Sequence, residues 1–292
     1  MACPDCFRGG RATGDPVGEL ETIHGVKTYV AGTAASRTSQ STVIFYTDAF
    51  GLDLLNNKLL ADAYVSATGF RVLVPDIIPG GAMSPDVMPI MDKALEPVSL
   101  FNVYGQLLRI YHIFHAVSYF GPFMWRAFPA SKAAFQACLA FARDIKGELP
   151  DGAKLGAAGF CWGGFQSVNL AAQPATEGGT EPLLDASFAA HASALRVPDN
   201  IVDAVKTFKT PLSIAQARDD FALPTKKVEE TEATLRESIG GGEGEGGYNY
   251  EFKYYDGCGH GFAVRAKPGS EAEAKGADAA KVQAIEWLKK FL

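Results

Sequence analysis

The stretch that decides the fold is "KLGAAGFCWGG", Lys154 to Gly164. Its first half is a short apolar run of strand type. Its second half places glycine on both sides of a cysteine at alternate positions: Gly159, Cys161 and Gly163. Gly-x-Cys-x-Gly after a strand and before a helix is a nucleophile elbow with a thiol in place of the usual hydroxyl. The turn is tight, and a Cβ at either glycine would collide with neighbouring backbone. Such a turn lifts the thiol above the end of a sheet. It also aims the next backbone N–H, that of Trp162, at an oxyanion site, and the dipole of the following helix favours a thiolate.

Outward from this elbow the chain alternates strand and helix patterns. "STVIFYTD" (41–48), "FRVLVPD" (70–76), "ASFAAHAS" (186–193), "PLSIAQAR" (211–218) and "YNYEFKYYD" (248–256) read as strands. "LLNNKLLADAYVSATG" (54–69), "SKAAFQACLAFARDIKG" (131–147), "PTKKVEETEATLRESIG" (224–240) and residues 271–292 read as helices. The alternation predicts an α/β fold with a mostly parallel central sheet and helices on both faces. Residues 77–130 are too long for a simple crossover and predict a helical insertion over the active-site end of the sheet. Without repeat or linker, residues 1–292 read as one domain. "IGGGEGEGGY" (239–248) reads as a surface loop.

A thiol nucleophile needs a base, and the base needs an orienting acid. His260 stands in "YYDGCGHGFAVR", just past the last strand, and "AQARDDFALP" supplies Asp219 and Asp220 at the end of another. The chain order nucleophile, acid, histidine is the order expected on such a sheet. His24, His112 and His115 read as surface or packed residues. His191, at a strand end, is a candidate for the pocket wall. Cys138 falls on the apolar face of its helix. Cys3 and Cys6 lack the second pair that a zinc site needs.

Taken in order, "YTDAFGLD", "VLVPDIIPGG", "GAAGFCWGG", "ARDDFALP" and "GCGHGFAVR" resemble the dienelactone hydrolase family of α/β-hydrolases, most closely its fungal-type branch. The resemblance runs from about Gly25 to the C-terminus. It implies a triad of Cys161, Asp220 and His260, with Asp220 chosen over Asp219 by its position three residues before Leu-Pro. It implies Ala49 as the second oxyanion donor beside Trp162. Asp48 stands where the founding members carry a glutamate, one methylene longer, and reads as a loop-orienting carboxylate. Arg265 sits one position later than the family's substrate-binding arginine, and Arg126 is a second candidate for anion binding.

These readings give a cysteine-dependent hydrolase of a carboxylic ester or lactone, needing no metal and no cofactor. The alternatives are a non-catalytic scaffold that binds a small ligand, and a triad-based isomerase or C–C hydrolase. A class I glutamine amidotransferase would carry glutamate two residues after the histidine, where this chain has Phe262. Residues 101–128 hold nine of the 32 aromatic residues, and Phe123 and Trp125 are expected to roof the site. The formal charge of −6 and the lack of a basic run argue against nucleic acid. Polar residues break up 100–120, and no signal sequence is visible, so no membrane partner and a cytoplasmic location are expected. The expected partner is a small-molecule ester or lactone, and a homodimer is the expected assembly.

Overall fold

A computed structural model describes residues 10, 12–95 and 98–292. Cys3 and Cys6 lie outside the described residues. The strands are β1 (Glu19–Ile23), β2 (Val26–Val30), β3 (Thr42–Tyr46), β4 (Arg71–Pro75), β5 (Leu155–Phe160), β6 (Ala186–Ala190), β7 (Leu212–Asp219) and β8 (Tyr250–Gly259). They form one sheet in the order β1-β2-β4-β3-β5-β6-β7-β8. Pairing is parallel from β4 through β8, while β1 and β2 are antiparallel.

β3, β5 and β6 are buried along their whole length, as central strands covered on both faces must be. The hairpin β1–β2 did not stand out in the sequence. Its outer strand β1 is exposed at four of five residues, so it lacks the apolar run by which the central strands are read. Buried Asp62, on helix α1 (Leu55–Thr68), holds this hairpin through Tyr29 Oη and the N–H groups of Val17 and Gly32.

Two helices lie within residues 77–130, α2 (Val87–Leu95) and the long α3 (Val103–Ala127). The far end of this segment is clamped at the elbow. The indole of Trp162, first residue of α5 (Trp162–Leu170), donates to Ala127 O at 2.7 Å, and Gln166 Nε2 donates to Pro129 O at 2.9 Å. The remaining helices are α4 (Lys132–Glu148), α6 (Asp199–Lys206), α7 (Thr225–Ile239) and α8 (Glu271–Phe291). Among the described residues, no helix is long and apolar enough to cross a membrane.

Trp162 is fully buried, so its N–H has no water to replace the lost acceptor. Trp162→Phe keeps most of the bulk but leaves Ala127 O without this donor. Thermal and denaturant unfolding should show a loss of about 1–3 kcal/mol. An unchanged stability would show that this clamp does not hold the insertion.

Candidate active site

Cys161 has φ 51° and ψ −107°, a region that side-chain-bearing residues rarely occupy. The surroundings enforce it. Cys161 N donates to Ala190 O on β6, and Cys161 O accepts from the N–H groups of Gly164 and Ser193. Gly163 N donates to Thr47 O at the end of β3. The flanking glycines are required by contact. A Cβ on Gly159 would sit 2.1 Å from Gly163 O, and a Cβ on Gly163 would sit 2.1 Å from Tyr46 O. The elbow is therefore wedged between the ends of β3 and β6.

His260 follows the last residue of β8. Its Nε2 lies 3.1 Å from Cys161 Sγ, and its Nδ1 lies 2.9 and 3.1 Å from the two carboxylate oxygens of Asp220. A carboxylate only accepts, so Nδ1 carries the donated proton and Nε2 faces the sulfur. Asp220 is itself fixed, because its Oδ1 accepts from the N–H groups of Ala222 and Leu223. Buried Gln216 braces the same loop through the carbonyls of Ala217 and Leu223. Asp219, the last residue of β7, is exposed, whereas Asp220, just past the strand, is buried.

Burial alone would raise the Cys161 thiol, but the adjacent His260 charge and hydrogen bond overcome it, and the thiol falls below its ordinary value. For His260, burial disfavours the charged imidazolium. The Cys161 charge and the Asp220 hydrogen bond outweigh that burial and raise it to about 10. The two shifts describe one thiolate–imidazolium pair. Cys258, by contrast, is buried where α8 packs on β8 and is pushed up to about 11 by burial. Its sulfur contacts Ala272 O at 3.6 Å, and Cys138 is likewise buried.

Asp48 is buried beside this pair. Its Oδ1 accepts from Phe50 N and Asn57 Nδ2, and its Oδ2 lies 3.5 Å from Arg265 Nε. Burial raises its carboxyl, against the opposing pull of Arg265 and these donors. The Arg265 guanidinium also lies over the Phe50 ring at 5.2 Å. Asp48 thus orients the loop that carries Ala49, whose carbonyl accepts from Met83 N. Asn57 was not singled out in the sequence, since an asparagine in the first turns of a helix has no distinguishing pattern.

The other expected wall residues part company. Phe123 is buried, while Trp125 projects outward and is 93% exposed. Residues two apart on a helix point to different faces, so these two do not form one roof. The Arg126 guanidinium is taken up by the carbonyls of Gly80, Gly81 and Ala82. His191 is fully buried behind His260, with ring centroids 5.2 Å apart, and neither of its nitrogens has a hydrogen-bond partner. Its ring packs among those of Phe160, His260 and Phe262. Two neighbours of the site went unnoticed in the sequence. Ser193 Oγ lies 4.0 Å from Sγ, and the exposed ring of Phe221 stands 5.0 Å from the His260 ring. Their adjacency to a strand end and to Asp220 is the signal that marks them.

Comparison with known proteins agrees with this architecture. The dienelactone hydrolase family model matches residues 26–292, and the chain belongs to that family. It is a hydrolase acting on ester or lactone bonds. Curated relatives include the hydrolase tropI of Talaromyces stipitatus, 23% identical over 98% of this chain and 95% of that one. Dienlactone hydrolase 1 of Gibberella moniliformis is 26% identical over 98% and 93%. Among solved structures, a Klebsiella pneumoniae protein assigned to the dienelactone hydrolases covers 95% of this chain and 100% of its own, at 17% identity and a TM-score of 0.63. Esterase 2 of Thermogutta terrifontis covers 93% and 94%, at 12% identity and a TM-score of 0.53. The fold is that of the α/β-hydrolases.

Alkylation reads the state of the thiol directly. The rate of iodoacetamide reaction at Cys161, followed by peptide mass, should rise with pH through a midpoint below the free-thiol value of about 8.5. In His260→Ala protein the lowering partner is gone and burial remains, so the midpoint should move above that value. An unshifted midpoint in both proteins would refute the ion pair.

Proposed function

We propose that Cys161, His260 and Asp220 act as a catalytic triad that opens an ester or lactone through a thioester intermediate. The observation that carries the reading is the continuous chain from Sγ to Nε2 at 3.1 Å and from Nδ1 to Asp220 at 2.9 Å. The thiolate attacks the carbonyl carbon, and the oxygen takes up the negative charge. The backbone N–H groups of Trp162 and Ala49 stabilise that oxyanion. His260 then gives its proton to the departing alkoxide, which leaves Cys161 acylated. Neutral His260 next takes a proton from water as it attacks the thioester; collapse of the intermediate expels the thiolate and the acid product, and His260 keeps that proton, which restores the thiolate–imidazolium pair. Asp220 holds the imidazole in one tautomer and compensates its charge throughout.

On this reading residues 77–130 are an insertion of the one domain that carries the site. The free thiols of Cys138, Cys161 and Cys258 suit a reducing cytoplasm. Of the arginines expected to bind a substrate carboxylate, Arg126 is taken up by loop carbonyls, and the charge of Arg265 is opposed by buried Asp48 at 3.5 Å. The triad in its ion-pair state adds one net negative charge. The site therefore favours an uncharged acyl group, and exposed Phe221 offers it an aromatic face.

Cys161→Ala should abolish turnover of an aryl ester, whereas Cys258→Ala should retain most of it. Near-wild-type turnover by Cys161→Ala would reject the nucleophile, and a wild-type protein inert toward every ester and lactone would favour a binding scaffold. Asp220→Asn should lower kcat by on the order of 10²–10⁴, the upper figure being that of the serine-protease template, and Asp219→Asn by far less. Equal losses would reject Asp220 as the orienter.

The charge argument has its own test. A lactone bearing a free carboxylate and its methyl ester, assayed side by side, should show higher kcat/KM for the neutral one. Preference for the carboxylate, lost in Arg265→Met, would instead assign Arg265 as an anion anchor.

A further inference from the structure

Helix α3 turns one stripe to the body of the protein and leaves another without a partner. Ala116, Phe123 and Ala127 are buried on the first. On the second lie Val103, Leu107, Ile110, Phe114, Val117 and Met124, all exposed, from 40% for Met124 to 70% for Phe114. Their spacing alternates four and three residues. That is the period of a helix–helix seam, in which apolar side chains of one helix fit between those of another. The gap between Val117 and Met124 falls at Gly121, which keeps the repeat. A Cβ there would meet nothing within 4 Å in the protomer, so nothing in the protomer calls for glycine there. A bare position in a seam instead lets two backbones approach.

The geometry points to a second copy of this chain as the occupant, its α3 packed along the same seam about a two-fold axis. Area supports this. The seam and its flanks, among them Tyr104, Tyr111 and Trp125, expose on the order of 1,500 Å² of side chain, taking about 150–250 Å² for each aromatic. Apolar patches on monomers are usually about 300–600 Å². A stable complex needs roughly 800 Å² from each partner. The helix spans about 37 Å at 1.5 Å per residue, long enough for several turns of contact.

Charge discriminates between a second copy and a lipid surface. From Val98 to Ser131 the chain has no Asp or Glu, and its only Lys or Arg residues are Arg109 and Arg126. Arg109 Nε donates to Ala94 O, and Arg126 is bound to the 80–82 carbonyls. A helix that adsorbs to anionic membranes keeps basic side chains free for phosphates, and here both are turned to backbone. An uncharged seam does suit pairing with itself, because no like charges are brought together. Since the Trp162 clamp ties the end of α3 to the elbow, the interface would also stiffen the site from outside.

Light scattering on the full chain at micromolar concentration should give twice 31.1 kDa. The double variant Ile110→Glu/Phe114→Glu should run as a monomer with an unchanged circular dichroism spectrum and aryl-ester kcat within about twofold of wild type. Leu107→Lys alone should weaken the dimer by at least about tenfold, a loss of about 1.4 kcal/mol. Val282→Glu, at an exposed apolar position on α8, should leave it intact. A wild-type monomer would overturn the proposal, as would a dimer that survives both α3 variants. A monomer that sediments with phosphatidylcholine vesicles would overturn it in favour of a membrane surface. The ester assay reports separately on the triad, so failure of one reading leaves the other distinguishable.

Discussion

The structure hangs on a steric constraint at one turn. Gly159 and Gly163 let the end of β5 and the start of α5 pass within contact of Tyr46 and of each other. No side chain larger than hydrogen fits at these two positions without moving a backbone carbonyl. That close passage seats Cys161 in a backbone conformation it would not choose alone, and the conformation puts its sulfur in reach of His260. The local cost, on the order of 1–3 kcal/mol, is met by hydrogen bonds to β3, to β6 and to Ser193.

From the same turn two further constraints propagate. The indole of Trp162 and the amide of Gln166 fix the end of α3, so the insertion is registered to the nucleophile helix by two hydrogen bonds. Beside the pair, Asp48 holds the 48–51 loop through Phe50 and Asn57 and faces Arg265 at 3.5 Å. The ionisable groups of the site thus stand in pairs: Cys161 Sγ 3.1 Å from His260 Nε2, and Asp48 Oδ2 3.5 Å from Arg265 Nε. Asp220 is stabilised by two N–H donors of its own turn. Buried charge is tolerable only in such an arrangement.

The two thiols nearest the chemistry show how environment rather than residue type sets reactivity. Cys258 stands two residues before His260 in the chain, but its sulfur packs under α8, and burial makes its thiol harder to ionise. Cys161 is also surrounded by protein, yet it has a cationic partner and becomes easier to ionise. The difference is one imidazole at hydrogen-bond distance.

The alternation of apolar strands and amphipathic helices was enough to foretell the parallel sheet, because strands buried on both faces are written as continuous apolar runs. The elbow and the order Cys161, Asp220, His260 were equally legible, since glycine spacing and strand ends are local features. The β1–β2 hairpin was not, because its outer strand faces solvent and lacks that pattern. Nor was the fate of the aromatic insertion. Phe123 and Trp125 look alike in the chain, but the helix rotates them about 200° apart, and only packing against the body selects which one is buried. The occupation of Arg126 by loop carbonyls, the burial of His191 and the pairing of Arg265 with Asp48 were likewise decided by tertiary contacts between segments far apart in the chain. Spacing within one segment fixes which side chains share a face, whereas what meets that face depends on where the rest of the chain comes to lie.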